Sequence, residues 1–203
     1  MKNKFKLLSV LGMVSIFLLI AFKPLGEKKV IVIDAGHGGK DFGATSGEVM
    51  EKEIVEKIAN RIKALNKDEN VEIVLLREED NFLELKERVE KINALKPSLV
   101  ISLHANITKN ETVNGVEAFV SKENQFYDQS YKHAEGLINE VSNDNLAKRG
   151  VKDASLFLLK NSICPAVNLG VGFLSNPKEK EYLSSGKGQN EIAASVISYL
   201  KKI

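Results

Sequence analysis

The chain has 203 residues, 43% of them hydrophobic and 28% charged, enough for one domain with a substantial buried core. Its formal charge is +2, but residues 1–25 hold four lysines and no acid, so residues 26–203 carry 25 basic against 27 acidic side chains, a net of −2. That balance lacks the basic face a nucleic-acid binder needs, and the lone Cys164 excludes an intramolecular disulfide or a thiolate metal cluster.

The N-terminus comes first in chain order. Lys2, Lys4 and Lys6 precede an apolar run from Leu7 to Phe22, closed by Lys23-Pro24. This is the charged start and apolar stretch of an export signal. The run falls slightly short of the roughly 20 residues that span a bilayer, and no Ala-x-Ala cleavage pattern follows it. Residues 1–25 are therefore expected to be a signal peptide or a membrane anchor, and residues 26–203 an exported domain.

Beyond it the hydrophobic period switches between strand and helix. Lys29–Ile33 is a β-branched strand, and 51–66 is a helix with Ile54, Val55, Ile58, Ile62 and Leu65 on one face. Val71–Leu76 reads as a strand, 82–95 as a helix and Leu99–Leu103 as a third strand. Gly115–Val120 is a further strand and Tyr127–Val141 a helix. Leu156–Leu159 and Ala166–Val171 read as short strands, and 191–202 as the closing helix. The alternation predicts a single α/β domain, a mostly parallel twisted sheet with helices on both faces. Cys164, beside Pro165 and an apolar run, is expected to be buried.

Ligands of such sheets gather at the carboxyl ends of the strands. His37 follows the first strand within Asp34-Ala35-Gly36-His37-Gly38-Gly39, and His104 ends the third within Ser102-Leu103-His104-Ala105-Asn106. Two imidazoles and one carboxylate with a fourth position open form a common catalytic zinc site. Glu48, Glu51 and Glu53 compete for the carboxylate on chemistry alone. His133, in a charged helix, is expected to be solvated.

These residues resemble a family, the zinc-dependent N-acetylmuramoyl-L-alanine amidases of the amidase-3 type, over nearly all of residues 29–203. The segment Val32–Asp41 looks like the opening motif, with Ala35 where the family usually has proline; the resemblance makes its histidine a zinc ligand. Glu51-Lys52-Glu53 is similar to the segment that supplies the second ligand and so selects Glu51, and the segment around His104 supplies the third. Leu76-Arg77 with Asp80, and Leu85 through Arg88 with Asn93, match positions that frame the fold. Arg149-Gly150-Val151-Lys152 and Gly172–Pro177 resemble later motifs, and Arg149 and Asn106 are the candidate substrate-binding residues. Only a short polar stretch separates Asn106 from Gly115, so the helix that plugs the zinc site in some members is not expected.

One departure is serious. The family's general acid and base is a glutamate two residues before the Gly-Phe-Leu-Ser-Asn segment, and here that position is Gly170. An unfilled space is expected above it. Glu117, in a Gly-x-Glu segment also common in the family, is the candidate surrogate catalytic carboxylate; a strand glutamate facing solvent or pairing with a base is the competing reading. The resemblance implies zinc-dependent hydrolysis of the amide between N-acetylmuramic acid and L-alanine in peptidoglycan. The partner is then peptidoglycan or muropeptides, met by a monomer in the periplasm or cell envelope, with residues 7–22 offering a membrane tether. The alternative is a degenerate amidase that binds zinc and muropeptides with weak or no catalysis. A zinc carboxypeptidase would share the metal chemistry but not the motifs.

Overall fold

The computed structural model describes residues 28–203. The expected export segment lies outside the described residues. No helix among these residues is long and apolar enough to cross a membrane.

Eight strands form in chain order: β1 Lys29–Ala35, β2 Thr45–Ser46, β3 Val49–Met50, β4 Val71–Leu75, β5 Leu99–Asn106, β6 Val116–Val120, β7 Lys148–Asp153 and β8 Ala166–Phe173. Six of them make one sheet in the order β4-β1-β5-β8-β6-β7, and β2 and β3 form a separate hairpin. The neighbours β4, β1, β5 and β8 pair in parallel. β6 runs antiparallel to β8, and β7 follows β6 in parallel. The reversal has a simple cause. Parallel strands need a crossover of a dozen or more residues, and only residues 107–115 join β5 to β6. β8 later inserts between them.

The helices are α1 Glu51–Leu65, α2 Leu85–Leu95, α3 Tyr127–Val141, α4 Phe157–Asn161, α5 Pro177–Ser184 and α6 Gly186–Leu200. Strand side chains alternate between faces, and each face has its own core. Ile31, Ile33, Leu99, Ile101, Val167 and Leu169 pack with Ile54 and Ile58 of α1, Leu137 and Ile138 of α3 and Val196 of α6. On the opposite face Val32, Val100 and Ala166 pack with Val89 and Ile92 of α2, Leu158 and Leu159 of α4, and Cys164. Burial pushes the Cys164 thiol up to about 12, so it is an inert core group.

Several expected elements are corrected. Leu156–Leu159 is not a strand: Phe157–Asn161 is a turn of helix, because an apolar run of four does not reveal its period. α2 begins at Leu85 with an extended Glu84 before it, leaving Phe82 and Leu83 free to line a cleft. α6 begins at Gly186, where Ser185 caps it by accepting from Gly188 N. β7 is not legible in the sequence because Lys148–Asp153 has no apolar alternation; it is an edge strand held by pairing with β6. α5 is short and charged, yet its start carries a signal: Asn176 accepts from Lys178 N and Glu179 N, with Pro177 in the first turn, a favoured cap. His133 is not solvated. It is half-buried, its Nδ1 lies 2.6 Å from the Tyr199 hydroxyl, and burial together with Lys132 lowers its pKa.

Candidate metal centre

The carboxyl ends of β1 and β5 lie side by side, with Asp34 paired to Ser102 and Ala35 to Leu103. The chain leaves β1 through a turn in which His37 has φ 62°, followed by Gly38 at 122° and Gly39 at 56°. A left-handed histidine costs roughly 1–2 kcal/mol, so other contacts must hold the turn. Two buried arginines do so. Arg77 donates to Ala35 O and Gly36 O. Arg88, from α2, donates to Ala35 O and His37 O and pairs with buried Asp34. Lys52 reaches Gly39 O at 2.9 Å and Asp80 at 2.6 Å, and Asp80 accepts from Gly39 N. Of the positions expected to frame the fold, Arg77, Asp80 and Arg88 thus frame this turn, whereas Asn93 ties α2 to Asn161 O and Ile163 N.

The hairpin β2–β3 turns at Gly47 and delivers Glu51 to the first position of α1. Glu51 is buried while Glu48 and Glu53 are exposed, and of the three it is Glu51 that groups with His37 and His104. One Glu51 oxygen lies 3.1 Å from His37 Nε2, and the other 2.9 Å from His104 Nδ1. Ala44 N and Ala105 N donate to the two oxygens at 2.7 and 2.9 Å. One potential ligand atom from each of His37, Glu51 and His104 lies within 4.8 Å of the others. There is no room for bulk at the neighbouring glycines. A Cβ on Gly36 would stand 2.5 Å from the His104 ring, and one on Gly43 would stand 2.6 Å from a Glu51 oxygen.

Electrostatics follow from this packing. Burial alone would lower the His37 pKa, but hydrogen bonds and charge from Glu51 and Asp41 raise it above the usual value. Burial alone would raise the Glu51 pKa, but its bonds to His104 and His37 hold the carboxyl well below the carboxylate range. A carboxylate kept ionised between two imidazoles is a natural cation ligand.

Sequence reading missed the partners behind the histidines. His37 Nδ1 is held by Asp41 at 2.8 Å, and His104 Nε2 lies 3.2 Å from Ser102 Oγ, which donates to Asp34 at 2.7 Å. Such contacts fix the ring orientation of metal-binding histidines. The i, i+4 spacing of His37 and Asp41 was an available signal, whereas the Ser102–Asp34 contact appears only once β1 and β5 pair. A cleft of about 460 Å³ adjoins the triad, lined by His37, His104, Asp41, Ser102 and the apolar Phe82 and Phe157 among others.

The remaining candidates lie in a row across the sheet. His104 pairs with Gly170, Gly170 with Glu117 and Glu117 with Gly150. Gly170 is indeed beside a triad histidine, but the expected unfilled space is not there. A Cβ on Gly170 would stand 2.6 Å from Asn106 Nδ2, because the Asn106 carboxamide covers it. Asn106 is held there by donating to Glu117 Oε1 at 3.0 Å. Glu117 is buried, and its other oxygen accepts from Arg149 Nε at 2.8 Å and Lys152 Nζ at 2.7 Å. It stands one strand beyond Gly170 with both oxygens engaged, the arrangement of a strand glutamate paired with bases.

Residues 31–202 match the sequence family described as N-acetylmuramoyl-L-alanine amidase, Amidase_3. The chain is 28% identical to the germination-specific N-acetylmuramoyl-L-alanine amidase of Bacillus subtilis (strain 168), over 97% of this chain and 93% of that protein. Its fold is similar to the catalytic domain of CwlV, an N-acetylmuramoyl-L-alanine amidase from Bacillus (Paenibacillus) polymyxa var. colistinus, with TM-score 0.78 and 32% identity over 86% of this chain and 97% of that one. It is also similar to the N-acetylmuramoyl-L-alanine amidase AmiC2 of Nostoc punctiforme, with TM-score 0.79 and 31% identity over 86% and 96% of the two chains.

Proposed function

The chain belongs to the Amidase_3 family of N-acetylmuramoyl-L-alanine amidases, and from that premise we propose that it hydrolyses the amide between the lactyl group of N-acetylmuramic acid and L-alanine in peptidoglycan, using zinc held by His37, Glu51 and His104. The observation that carries this reading is the convergence of those three side chains at a strand rim beside a cleft. The donor set suits the ion. Two imidazole nitrogens and one carboxylate are the ligands of many catalytic zinc sites, and the far nitrogen of each ring has an orienting partner. Bound zinc would supply Lewis acidity, polarising the amide carbonyl and acidifying water.

The chain's own residues do the rest. Asp41 and Ser102 hold the rings, and the backbone amides of Ala44 and Ala105 fix Glu51. Proton transfer is the weak step. No carboxylate stands at Gly170, the Asn106 amide that covers it does not take up a proton at ordinary pH, and Glu117 is tied to Arg149 and Lys152. A missing general base costs about 10²–10⁴ in rate, so slow hydrolysis is expected. The Asn106 carboxamide over Gly170 also favours a second reading, a degenerate amidase that binds zinc and muropeptides with little or no turnover.

Mass spectrometry of muropeptides treated with zinc-loaded protein tests both. The expected products are a free lactyl carboxylate and a peptide with a new L-alanine amino terminus. Cleavage inside the stem peptide would instead indicate a carboxypeptidase, and tight binding without cleavage the degenerate reading.

We further propose that residues 26–203 work outside the cytoplasmic membrane, as a monomer, with residues 1–25 as a cleaved signal or a retained tether. A fusion of residues 1–30 to a reporter active only after export is expected to give signal. Cytoplasmic retention of that fusion would overturn the location.

A further inference from the structure

Strand β7 carries Lys148, Arg149 and Lys152, in a domain whose residues 26–203 have a net charge of −2. Arg149 and Lys152 share one oxygen of buried Glu117, whose other oxygen is taken by Asn106. Two cations thus share one carboxylate by hydrogen bond, and the Glu179 carboxyl, which accepts from Gly115 N and Phe173 N, is also within charge reach of Arg149. Arg149 Nη1 donates to Asn114 O at 3.0 Å, and its Nη2 has no hydrogen-bond partner among the described residues. The Arg149 guanidinium lies over the Phe173 ring at 5.1 Å, and Lys152 Nζ lies 5.6 Å from the Phe119 ring centre. These seats hold the cations while a third of the Arg149 side chain and half of that of Lys152 remain accessible.

Cations on an edge strand often serve only to discourage pairing with another chain. Here Arg149 and Lys152 turn instead toward Glu117, on the face that bears Gly170 and His104. Beside them is a recess of about 440 Å³ lined by Asn114 and residues 147–152. Two strand spacings of about 4.8 Å separate β5 from β6, and Arg149 and Lys152 reach back from β7 to Glu117 on β6, which puts their charged ends on the order of 10 Å from His104. An extended peptide covers about 3.5 Å per residue, so two residues past a scissile amide at the triad span about 7 Å, and a side-chain carboxylate on the second supplies the remaining few ångströms to the cluster.

We infer that Arg149 and Lys152 form a carboxylate-binding subsite for the stem peptide, receiving the free carboxylate of the residue that follows the alanine. The inference rests on the amidase reading and deepens it by naming the group recognised. It sets the direction of the substrate as well, with the peptide over β8 and β6 and the muramic acid toward the apolar cleft between α2 and α4.

The test compares two muramoyl dipeptides that differ only in whether the second residue's carboxylate is free or converted to its carboxamide. Calorimetry on zinc-loaded protein is expected to show the free carboxylate binding about 10-fold more tightly, the scale of one charge-assisted hydrogen bond. Arg149→Gln with Lys152→Gln is expected to bring that ratio near one. A merely structural role would weaken both ligands alike and leave the ratio standing, and that result overturns the inference. Equal affinities in the unaltered protein overturn it too, as does binding of neither dipeptide. Inorganic phosphate is the competing anion: if it displaces the carboxamide form as readily as the free carboxylate, the cluster serves a phosphate instead. Because the ratio is read without turnover, an intact ratio in a protein that cleaves nothing would count against hydrolysis alone.

Discussion

Replacing His104 by alanine is expected to abolish muropeptide cleavage and to strip the protein of zinc while leaving it folded. His104 supplies one of three ligand atoms, and its Nδ1 already faces Glu51 at 2.9 Å. Loss of an outer partner such as Ser102 should weaken metal binding by roughly 10–100-fold, and loss of a direct ligand by more. The fold should survive, since the ring is partly exposed and the carboxylate it faces keeps its bonds from Ala44 N and Ala105 N. Equilibrium dialysis against a zinc buffer gives the affinities of the unaltered protein, Ser102→Ala and His104→Ala, with urea unfolding as the control for folding. Undiminished zinc affinity in His104→Ala would remove that residue from the site. A Ser102→Ala loss as large as that of His104→Ala would mean that orientation of the ring, not ligation, dominates.

The triad is legible in the amino-acid sequence because its signals are local. A glycine-rich turn after one strand and a histidine ending another each declare a position at the strand rim, and a parallel sheet brings such rims together; among Glu48, Glu51 and Glu53 only the family resemblance selects Glu51. The parallel half of the fold is legible for a related reason. Strands buried on both faces are largely continuous apolar runs, and Lys29–Ala35 and Leu99–Asn106 are of that kind, while the edge strand Val71–Leu75 keeps Glu72 exposed yet is still rich in β-branched residues. The second half is harder. Lys148–Asp153 becomes a strand only by pairing with β6, and Phe157–Asn161 becomes a helix through packing of Leu158 and Leu159 that four apolar letters do not encode. The Arg77 and Arg88 contacts to the His37 turn span roughly 40–50 residues of sequence, and no local pattern announces them. Gly170 shows the limit most clearly. Its sequence position marks a missing carboxylate, but the amide that covers it comes from another strand, and only the register of β5 against β8 brings Asn106 there.

That covering amide changes what a restored glutamate should do. On sequence alone Gly170→Glu is expected to raise amidase activity by an order of magnitude or more, by placing a general base within reach of water at the metal centre. In the structure the new Cβ would meet Asn106 Nδ2 at 2.6 Å, closer than side chains tolerate. The carboxamide can swing aside only by giving up its bond to Glu117. The single change is therefore expected to cost about 1–3 kcal/mol in stability, the usual range for overpacking, and to gain little activity. Joined to Asn106→Ala, the same glutamate finds room beside His104, and its backbone does not have the positive φ that would strain it. Glu117, which accepts from Arg149 and Lys152, stands nearby and favours proton uptake by the new carboxyl, as one like charge does for another. At matched zinc content, the double variant is expected to exceed the unaltered protein by about 10²-fold in muropeptide cleavage, the lower end of what a general base contributes. If Gly170→Glu alone gives the full gain, Asn106 is mobile enough to yield, and the steric account is wrong. If neither variant gains activity while both still bind zinc and muropeptide, the cleft lacks more than one base and the binding reading prevails. If the unaltered protein is already fast and Glu117→Gln stops it, proton transfer runs through Glu117 despite its two cations.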